Sequence, residues 1–195
     1  LISMQMFGML FGGILWGILG DKKGRISVLF GSILIYSVAN IANGMVTTVD
    51  GYAFWRLIAG IGLAGELGAG ITLVTESLPK EKRGYGTMIV ASVGVSGAVV
   101  AYLVYQIFQD WRLCYYAGGV LGLLLLFLRI SISESGMFKK VQESDEKKGD
   151  FLSLFTDKKR FSKYIQCILI GIPLWFLVGV LITFSPEFAK ALGVQ

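Results

Sequence analysis

Three charged residues lie in or beside one long apolar run of the sequence, where each of them needs a function or a partner. Arg56, Glu66 and Glu76 follow one another at intervals of ten residues, within the run 52–75 or directly after it. An ionised carboxylate in apolar surroundings is costly, so Glu66 is expected to be neutral or paired. Such a group can bind a proton or a solute. It can also do no more than join two helices by a hydrogen bond, and both interpretations stay open.

A second group of charges lies at a turn that contains glycine. Asp21 and Lys22 lie between Gly17 and Gly24, and Arg25 follows directly. Asp21 and Arg25 can join helix ends through charge-assisted hydrogen bonds. Gly17 permits close contact between helices in lipid, and Gly24 permits a tight turn with positive φ. This combination suits a gate between helices.

Several kinds of chemistry are excluded by what the sequence lacks. It contains no histidine, which excludes His-based catalysis, His metal sites and His pH sensing. Its two cysteines, Cys114 and Cys167, lie in apolar runs and are interpreted as small buried hydrophobic residues. No nucleophile is grouped with a base, and no carboxylates are paired on one helix face. We therefore expect no catalytic residue, no metal ligand and no cofactor, and we do not expect an enzyme.

The elements that carry these residues are long apolar runs. The 195 residues are 54% hydrophobic and only 16% charged, and a soluble surface needs more charge than this. A membrane-spanning helix needs roughly 20 mostly apolar residues. The runs of suitable length are 1–19, 26–46, 52–75, 85–108, 113–132 and 164–184. The predicted fold class is an all-α, polytopic bundle of membrane helices.

The basic residues are distributed unevenly among the connections between these runs. Fifteen of the 18 lie in or near the first, third and fifth connections, and Arg112 alone lies in the second and fourth. Basic connections stay on the cytoplasmic side, so the odd connections are predicted to be cytoplasmic and the even ones external. Glu66 then lies near the bilayer midplane, slightly to the cytoplasmic side. The net charge of +5 reflects this distribution and requires no nucleic-acid partner.

One long polar stretch, 133–162, separates the fifth run from the sixth. It mixes acidic and basic residues densely and is interpreted as a cytoplasmic linker, with a short amphipathic turn at 151–155 on the membrane surface. The predicted organisation is an N-terminal transmembrane bundle at 1–132, the linker at 133–162 and the first helix of a second bundle at 163–195. Because the chain begins on an apolar run and ends just after another, we expect both ends to be truncated, with at least one helix before Leu1.

The turn at 17–25 has the pattern Gly, three residues, Asp, a basic residue, one residue, Gly and a basic residue. It resembles the signature loop of the major facilitator superfamily, between the second and third helices of that family. The segment 56–64, an Arg followed by alternating small residues, resembles the motif of the fourth helix. The segment 76–84 resembles the next loop of sugar porters and metabolite–proton symporters. Residues 111–112 resemble the opening of the sixth helix, and 133–138 the Glu-Ser-Pro segment after it, with Gly136 in the Pro position.

This resemblance covers essentially the whole chain and implies the fold of that superfamily, with the six runs as its helices two to seven. It implies a cytoplasmic charge network that holds the outward-open state, formed by Asp21, Arg25, Glu76 and Arg83. It also implies that Arg56 takes part in proton coupling or in structure. Drug-export antiporters have a Gly-Pro-rich motif in the fifth helix, whereas the run 85–108 contains no Pro, which favours uptake.

The predicted function is secondary active transport of a small organic solute by alternating access. A sugar, an organic acid, an amino acid or a betaine would suit the charges. A proton is the expected coupling ion, with Glu66 as the first candidate to carry it and Arg56 as the second. We expect a multi-pass, monomeric protein of the plasma (inner) membrane, in contact with the lipid bilayer. The alternatives are a drug or metabolite exporter, and a membrane sensor that has this fold and does not transport.

Overall fold

The computed structural model describes residues 2–129 and 149–193, and these residues form helices and no strand. The first of two compact units, Leu1–Gly149, contains α1 (Ile2–Lys23), α2 (Arg25–Met45), α3 (Val49–Ser77), α4 (Arg83–Phe108) and α5 (Trp111–Leu128). The second unit, Asp150–Gln195, contains α6 (Ser153–Thr156), α7 (Lys158–Phe176), a π-helical segment (Leu177–Ile182) and α8 (Ser185–Ala191). Within the described residues, six helices are long and apolar enough to cross a membrane. The predicted all-α bundle of membrane helices is confirmed.

Several helix boundaries lie at residues that cap a helix end or allow a tight turn. Thr48 precedes α3, and its hydroxyl accepts a hydrogen bond from the Gly51 N–H at 3.2 Å. Asp110 precedes α5 and accepts in the same way from the Arg112 N–H at 2.8 Å. Gly24 is the single residue between α1 and α2, and its φ is 97°. Residues with a Cβ atom rarely adopt this backbone conformation, whereas glycine does so readily. The tight turn with positive φ predicted for Gly24 is therefore confirmed.

α3 is the central helix of the first unit, and it packs closely against α1 and α2. Its glycines allow this approach. A Cβ added at Gly62 would lie 2.6 Å from the backbone nitrogen of Tyr36, and one at Gly65 would lie 2.7 Å from the Trp16 ring. Trp16 also donates from its indole N–H to the carbonyl of Ile61 at 2.7 Å. Small residues therefore bring the three backbones together, which stabilises helix packing in lipid.

Gly17 does not take part in this packing, contrary to the prediction. A Cβ added there would meet no atom within 4 Å in the described part of the chain. The close approaches of α1 lie at Gly8 and Gly12. A Cβ added at these positions would collide with the backbone carbonyls of Leu57 and Ile61 on α3. An α-helix turns once in about 3.6 residues, so Gly8 and Gly12 share a face from which Gly17 is rotated away.

The buried core of the first unit lies between α1, α2 and α3. Its hydrophobic cluster consists of Trp16, Val28, Leu29 and Ala69. The polar side chains that are buried on α2 are Ser32, Ser37, Asn40 and Asn43. α4 touches α3 and α5 and has no buried residue in the structure described. Its exposed apolar side chains are compatible with lipid, which is as apolar as they are.

The second unit contains the sixth candidate span, Lys158–Leu181. α7 begins before the predicted end of the linker at 162, because Asp157 accepts a hydrogen bond from the Lys159 N–H at 2.8 Å and so starts the helix. Where the sequence predicts a short amphipathic turn, α6 forms and the rings of Phe151 and Phe155 lie 5.4 Å apart. Residues 133–148 of the predicted linker, including the Glu-Ser-Pro-like segment, lie outside the described residues.

Candidate functional site

Three polar clusters lie at successive depths along α3. Arg56, Glu66 and Glu76 each belong to one of them, and each step of ten residues is a rise of about 15 Å. The three are defined here as the outer cluster (Arg56, Gln5, Tyr52, Tyr115), the central pair (Glu66, Arg129) and the inner cluster (Glu76, Arg25, Asp21). Outer and inner follow the predicted external and cytoplasmic sides. A single helix thus carries one charged residue at each of three levels.

The inner cluster is centred on Arg25, the first residue of α2. Its guanidinium donates from Nη1 to Asp21 Oδ1 at 2.8 Å and from Nη2 to Glu76 Oε1 at 3.2 Å. Arg25 and Glu76 are each 18% exposed, whereas Asp21 is 47% exposed. Charge-assisted bonds of this kind are stronger than bonds between neutral groups. The structure therefore joins the ends of α1, α2 and α3 through Asp21, Arg25 and Glu76.

Other residues of the predicted network lie around this cluster. Gly24 makes the turn from α1 to α2, and Lys22 is exposed at the end of α1. Arg83 begins α4 and donates from Nε to the carbonyl of Leu78 at 3.2 Å, which closes the turn after α3. The loop motif thus positions the inner cluster, while Arg83 orders the next turn of the chain.

The outer cluster surrounds the guanidinium of Arg56 with neutral partners. Nη1 donates to the side-chain carbonyl of Gln5 at 2.6 Å, and Nε donates to the Tyr52 hydroxyl at 3.0 Å. The hydroxyls of Tyr52 and Tyr115 are hydrogen-bonded at 2.7 Å, and their ring centroids lie 5.2 and 5.3 Å from the guanidinium carbon. Such cation–π contacts stabilise an arginine that is shielded from water. Within the described residues, Arg56 forms no ion pair with a carboxylate.

An open groove of about 440 Å³ lies beside the outer cluster. Tyr52 and Tyr115 line it together with Trp111, Arg112 and residues 46–49. The Trp111 ring meets the two tyrosine rings edge to face, with centroids 6.1 and 6.0 Å apart. Fourteen residues of α3, or about 21 Å of rise, separate Tyr52 from Glu66. The groove is therefore a feature of the outer level and does not adjoin the central pair.

The central pair joins the middle of α3 to the end of α5. Arg129 donates from Nη2 to Glu66 Oε1 at 2.6 Å, and the two side chains are 20% and 25% exposed. Glu66 is therefore paired, which is what a carboxylate in apolar surroundings requires. Gly62 and Gly70, four residues to either side of Glu66, face α2. No group of three His, Cys, Asp or Glu side chains in the part of the chain described could hold a metal ion.

Four residues of these clusters were not predicted as site residues from the sequence. Tyrosines such as Tyr52 and Tyr115 are common near the ends of membrane helices. Gln5 is uncharged, and no motif includes it, so the sequence distinguishes none of these three residues. Arg129 counts toward the basic fifth connection and was interpreted through topology alone. One signal was present, because Arg129 is the only basic residue inside the apolar run 113–132. A lone Glu in one run and a lone Arg in another are candidates to pair.

The chain matches the sequence model of a known protein family. The sequence model described as Major Facilitator Superfamily matches residues 1–195. The chain belongs to the major facilitator superfamily. The predicted family is therefore confirmed. With the six candidate spans, membership makes the chain a multi-pass protein of the plasma membrane, as predicted.

Curated members of the superfamily resemble the chain over part of their length. A Haemophilus influenzae protein named for metabolite transport is 35% identical over 166 residues, which are 82% of this chain and 39% of that protein. A Bacillus subtilis protein named for niacin/nicotinamide transport, NiaP, is 29% identical over 143 residues, which are 71% of this chain and 36% of that protein. The chain thus spans about two fifths of the length of these relatives.

Solved structures of the superfamily have the same fold. The proton:xylose symporter XylE of E. coli, bound to 6-bromo-6-deoxy-D-glucose, matches 99% of this chain with a TM-score of 0.68. The match covers 52% of XylE, and 18% of the aligned residues are identical. Similarity at this level of identity shows the fold alone, because one fold hosts many functions.

Proposed function

We propose that the complete protein is a secondary active transporter that carries a small organic solute into the cell together with a proton. The observation that carries this proposal is the central pair, a carboxylate within a membrane helix that is held by an arginine of another helix. Charges inside membranes are costly, and they occur along solute, ion and proton pathways. Glu66 is the first candidate of this chain to take up a proton. Arg56 is the second candidate for coupling, as a fixed positive charge, because a guanidinium stays protonated.

The names of the relatives support a small organic solute and leave its identity open. One relative is named for metabolite transport and another for niacin or nicotinamide, while the structural relative is named for xylose and protons. The named compounds are all small and carry polar groups that form hydrogen bonds. A sugar, an organic acid, an amino acid or a betaine is therefore the class of solute that we propose.

The inner cluster suits a gate on the cytoplasmic side. While Arg25 holds Asp21 and Glu76, the ends of α1, α2 and α3 are fixed to one another. In the proposed cycle, this cluster and Arg83 stabilise the outward-open state, and the bonds loosen as the cytoplasmic side opens. Two bundles of one monomer rock around a site near the midplane in the general form of such a cycle. Glu66 and Glu76 lie on the same helix. In the proposed cycle, a movement of α3 at the central pair therefore also moves the inner cluster.

Reconstitution of the complete protein in liposomes tests this function. The labelled solutes to compare are sugars, organic acids, amino acids and betaines. A proton gradient that is acidic outside should drive accumulation of the transported solute. Abolishing the gradient should stop accumulation while exchange of solute continues.

Glu66→Gln tests the role of the carboxylate. It should abolish accumulation and leave exchange, because the amide keeps a hydrogen-bond acceptor and takes up no proton. Glu81→Gln is the matched control, since Glu81 is an exposed carboxylate in the turn before α4. Accumulation by Glu66→Gln that equals that of the parent protein, at equal amounts in the membrane, would refute the proton role.

The same liposomes distinguish the alternative functions. Accumulation of solute driven by a gradient that is acidic inside the liposomes would indicate an exporter that exchanges solute for protons. The absence of Pro from α4 disfavours this alternative. Binding of a solute without any transport would indicate a membrane sensor on this fold.

A further inference from the structure

Side chains connect α3 and α5 at two levels, and both connections have the same register. Tyr52 bonds to Tyr115, and Glu66 bonds to Arg129, with a difference of 63 residues in each case. The two connections are 14 residues apart on each helix, or about 21 Å. A constant difference is what two helices that run side by side in one direction produce. α3 and α5 are thus held in one register by a connection at the outer level and another at the middle level.

These side chains matter because α3 and α5 are packed mainly through α2, which contacts both helices. α3 meets the α2 backbone at Gly62, where an added Cβ would lie 2.6 Å from the nitrogen of Tyr36. α5 meets α2 at Gly119, where an added Cβ would lie 2.9 Å from the carbonyl oxygen of Ser37. Glu66 and Arg129 therefore form a direct link between two helices whose backbones are otherwise joined through a third.

Within the described residues of the first unit, Glu66 and Arg129 are also far from other charges along their own and the neighbouring helices. The charged residues of α1, α2 and α4 lie at the ends of those helices: Asp21, Lys22, Lys23, Arg25 and Arg83. On α3 itself, the nearest charged residues are ten positions from Glu66, or about 15 Å. Among the described residues, Arg129 is the cation that pairs with Glu66, and its buried Nη1 has no hydrogen-bond partner there. Within the described residues, loss of the Arg129 charge would therefore leave the Glu66 carboxylate without a cation.

We propose that Arg129 is a positioning residue for transport, which holds the Glu66 carboxylate in place and keeps the end of α5 attached to the middle of α3. This inference rests on the proposed function and adds a counter-ion to it. A neighbouring cation offsets the cost of placing a carboxylate in apolar surroundings. The two charges form one unit, so the loss of the arginine alone is worse than the loss of both charges.

Paired substitutions in the complete protein test this unit. The variants are Glu66→Gln, Arg129→Gln, Arg129→Lys, the double variant E66Q/R129Q and the exchanged pair E66R/R129E. Each is measured for solute exchange in liposomes and for thermal unfolding in detergent. Arg129→Gln should lower exchange roughly tenfold, because it leaves a carboxylate unpaired among apolar groups. Arg129→Lys should retain more exchange, since it keeps the charge and loses the planar donor pair.

The double variant and the exchanged pair distinguish a charge pair from simple packing. Both should exchange solute faster than Arg129→Gln, because neither leaves an unpaired charge, although their side chains pack differently. Arg160→Gln is the matched control, since Arg160 is an exposed arginine of α7 that pairs with Asp157 and belongs to none of the three clusters. It should exchange solute within about twofold of the parent protein.

Two results would overturn the proposal. One is exchange by Arg129→Gln within about twofold of the parent protein. The other is a double variant that is as impaired as the product of the two single effects. If no solute is transported at all, the proposed function fails. The unfolding temperatures still test whether Glu66 and Arg129 stabilise each other as a charge pair. E66Q/R129Q should then unfold at a higher temperature than Arg129→Gln, and additive shifts would refute the unit.

Discussion

The inner cluster predicts an order of effects that depends on how deeply each charge lies. Arg25 contacts two carboxylates, Glu76 is as shielded as Arg25, and Asp21 is nearly half exposed. Asp21→Asn should therefore weaken the cluster least, and Glu76→Gln should weaken it more. Arg25→Gln should have the largest effect, because it removes the bonds to both carboxylates at once.

The magnitudes follow from the bonds that each variant loses. The Arg25–Asp21 bond is 2.8 Å long but is screened by solvent, so its loss should cost about 0.5 kcal/mol, or roughly twofold in an equilibrium. The Arg25–Glu76 bond is 3.2 Å long and shielded, so its loss should cost about 1.5 kcal/mol, or roughly tenfold. Arg25→Gln loses both bonds at once, which should cost about 2 kcal/mol.

The assay measures how often the cytoplasmic side is open. A single cysteine on the cytoplasmic side of the complete protein, in a background without Cys114 and Cys167, reports opening through its rate of labelling. Solute counterflow in liposomes measures cycling in the same variants. Lys23→Gln is the control, because Lys23 is an exposed charge at the end of α1.

The expected order of labelling is Arg25→Gln fastest, then Glu76→Gln, then Asp21→Asn, with Lys23→Gln equal to the parent protein. A larger effect of Asp21→Asn than of Glu76→Gln would show that burial does not set the strength of these bonds. Equal labelling rates in all variants would show that the cluster does not hold the cytoplasmic side closed. Either result refutes the reasoning.

Three further predictions concern other parts of the first unit. Gly65→Ala should lower the unfolding temperature by several degrees, because the added Cβ would lie 2.7 Å from the Trp16 ring, whereas Gly68→Ala would meet no atom within 4 Å and should change it little. Equal shifts for both variants would contradict the packing argument. Arg56→Lys should lower solute exchange roughly tenfold at equal expression, because an ammonium cannot replace a guanidinium that bonds and stacks at once; unchanged exchange would exclude a role for the outer cluster. In intact cells, an impermeant thiol reagent should label Thr47→Cys and leave Lys82→Cys unlabelled, and the reverse pattern would invert the predicted topology.

Much of this fold could be predicted because a membrane limits what a chain can form. A span must satisfy its backbone groups within itself, so each long apolar run becomes a helix. The helices extend beyond the apolar runs by a few residues at most ends, because capping residues such as Thr48 and Asp110 lie outside the apolar pattern. Gly24 was predictable for a similar local reason, since a one-residue turn between two helices requires unusual backbone angles.

The contacts of the site residues were less predictable. The inner cluster was expected from the resemblance of the loop motif, whose members lie close in sequence except for Glu76. The partner of Glu66 was not, because Arg129 lies 63 residues away and had an adequate explanation in the topology. Arg56 was expected to act in coupling or in structure, yet its neutral partners Tyr52, Tyr115 and Gln5 could not be derived from it.

The sequence by itself determined the class of fold, the number of spans, the family and the requirement that Glu66 be neutral or paired. Each of these depends on patterns within one segment, such as apolar length, turn residues and the cost of a charge in lipid. The tertiary structure alone decided that Arg129 is the partner and that Gly8 and Gly12, not Gly17, bring α1 against α3. These contacts depend on how far each helix is rotated and shifted along its neighbours. Rotation and shift result from the packing of several helices at once, which no single segment of the sequence encodes.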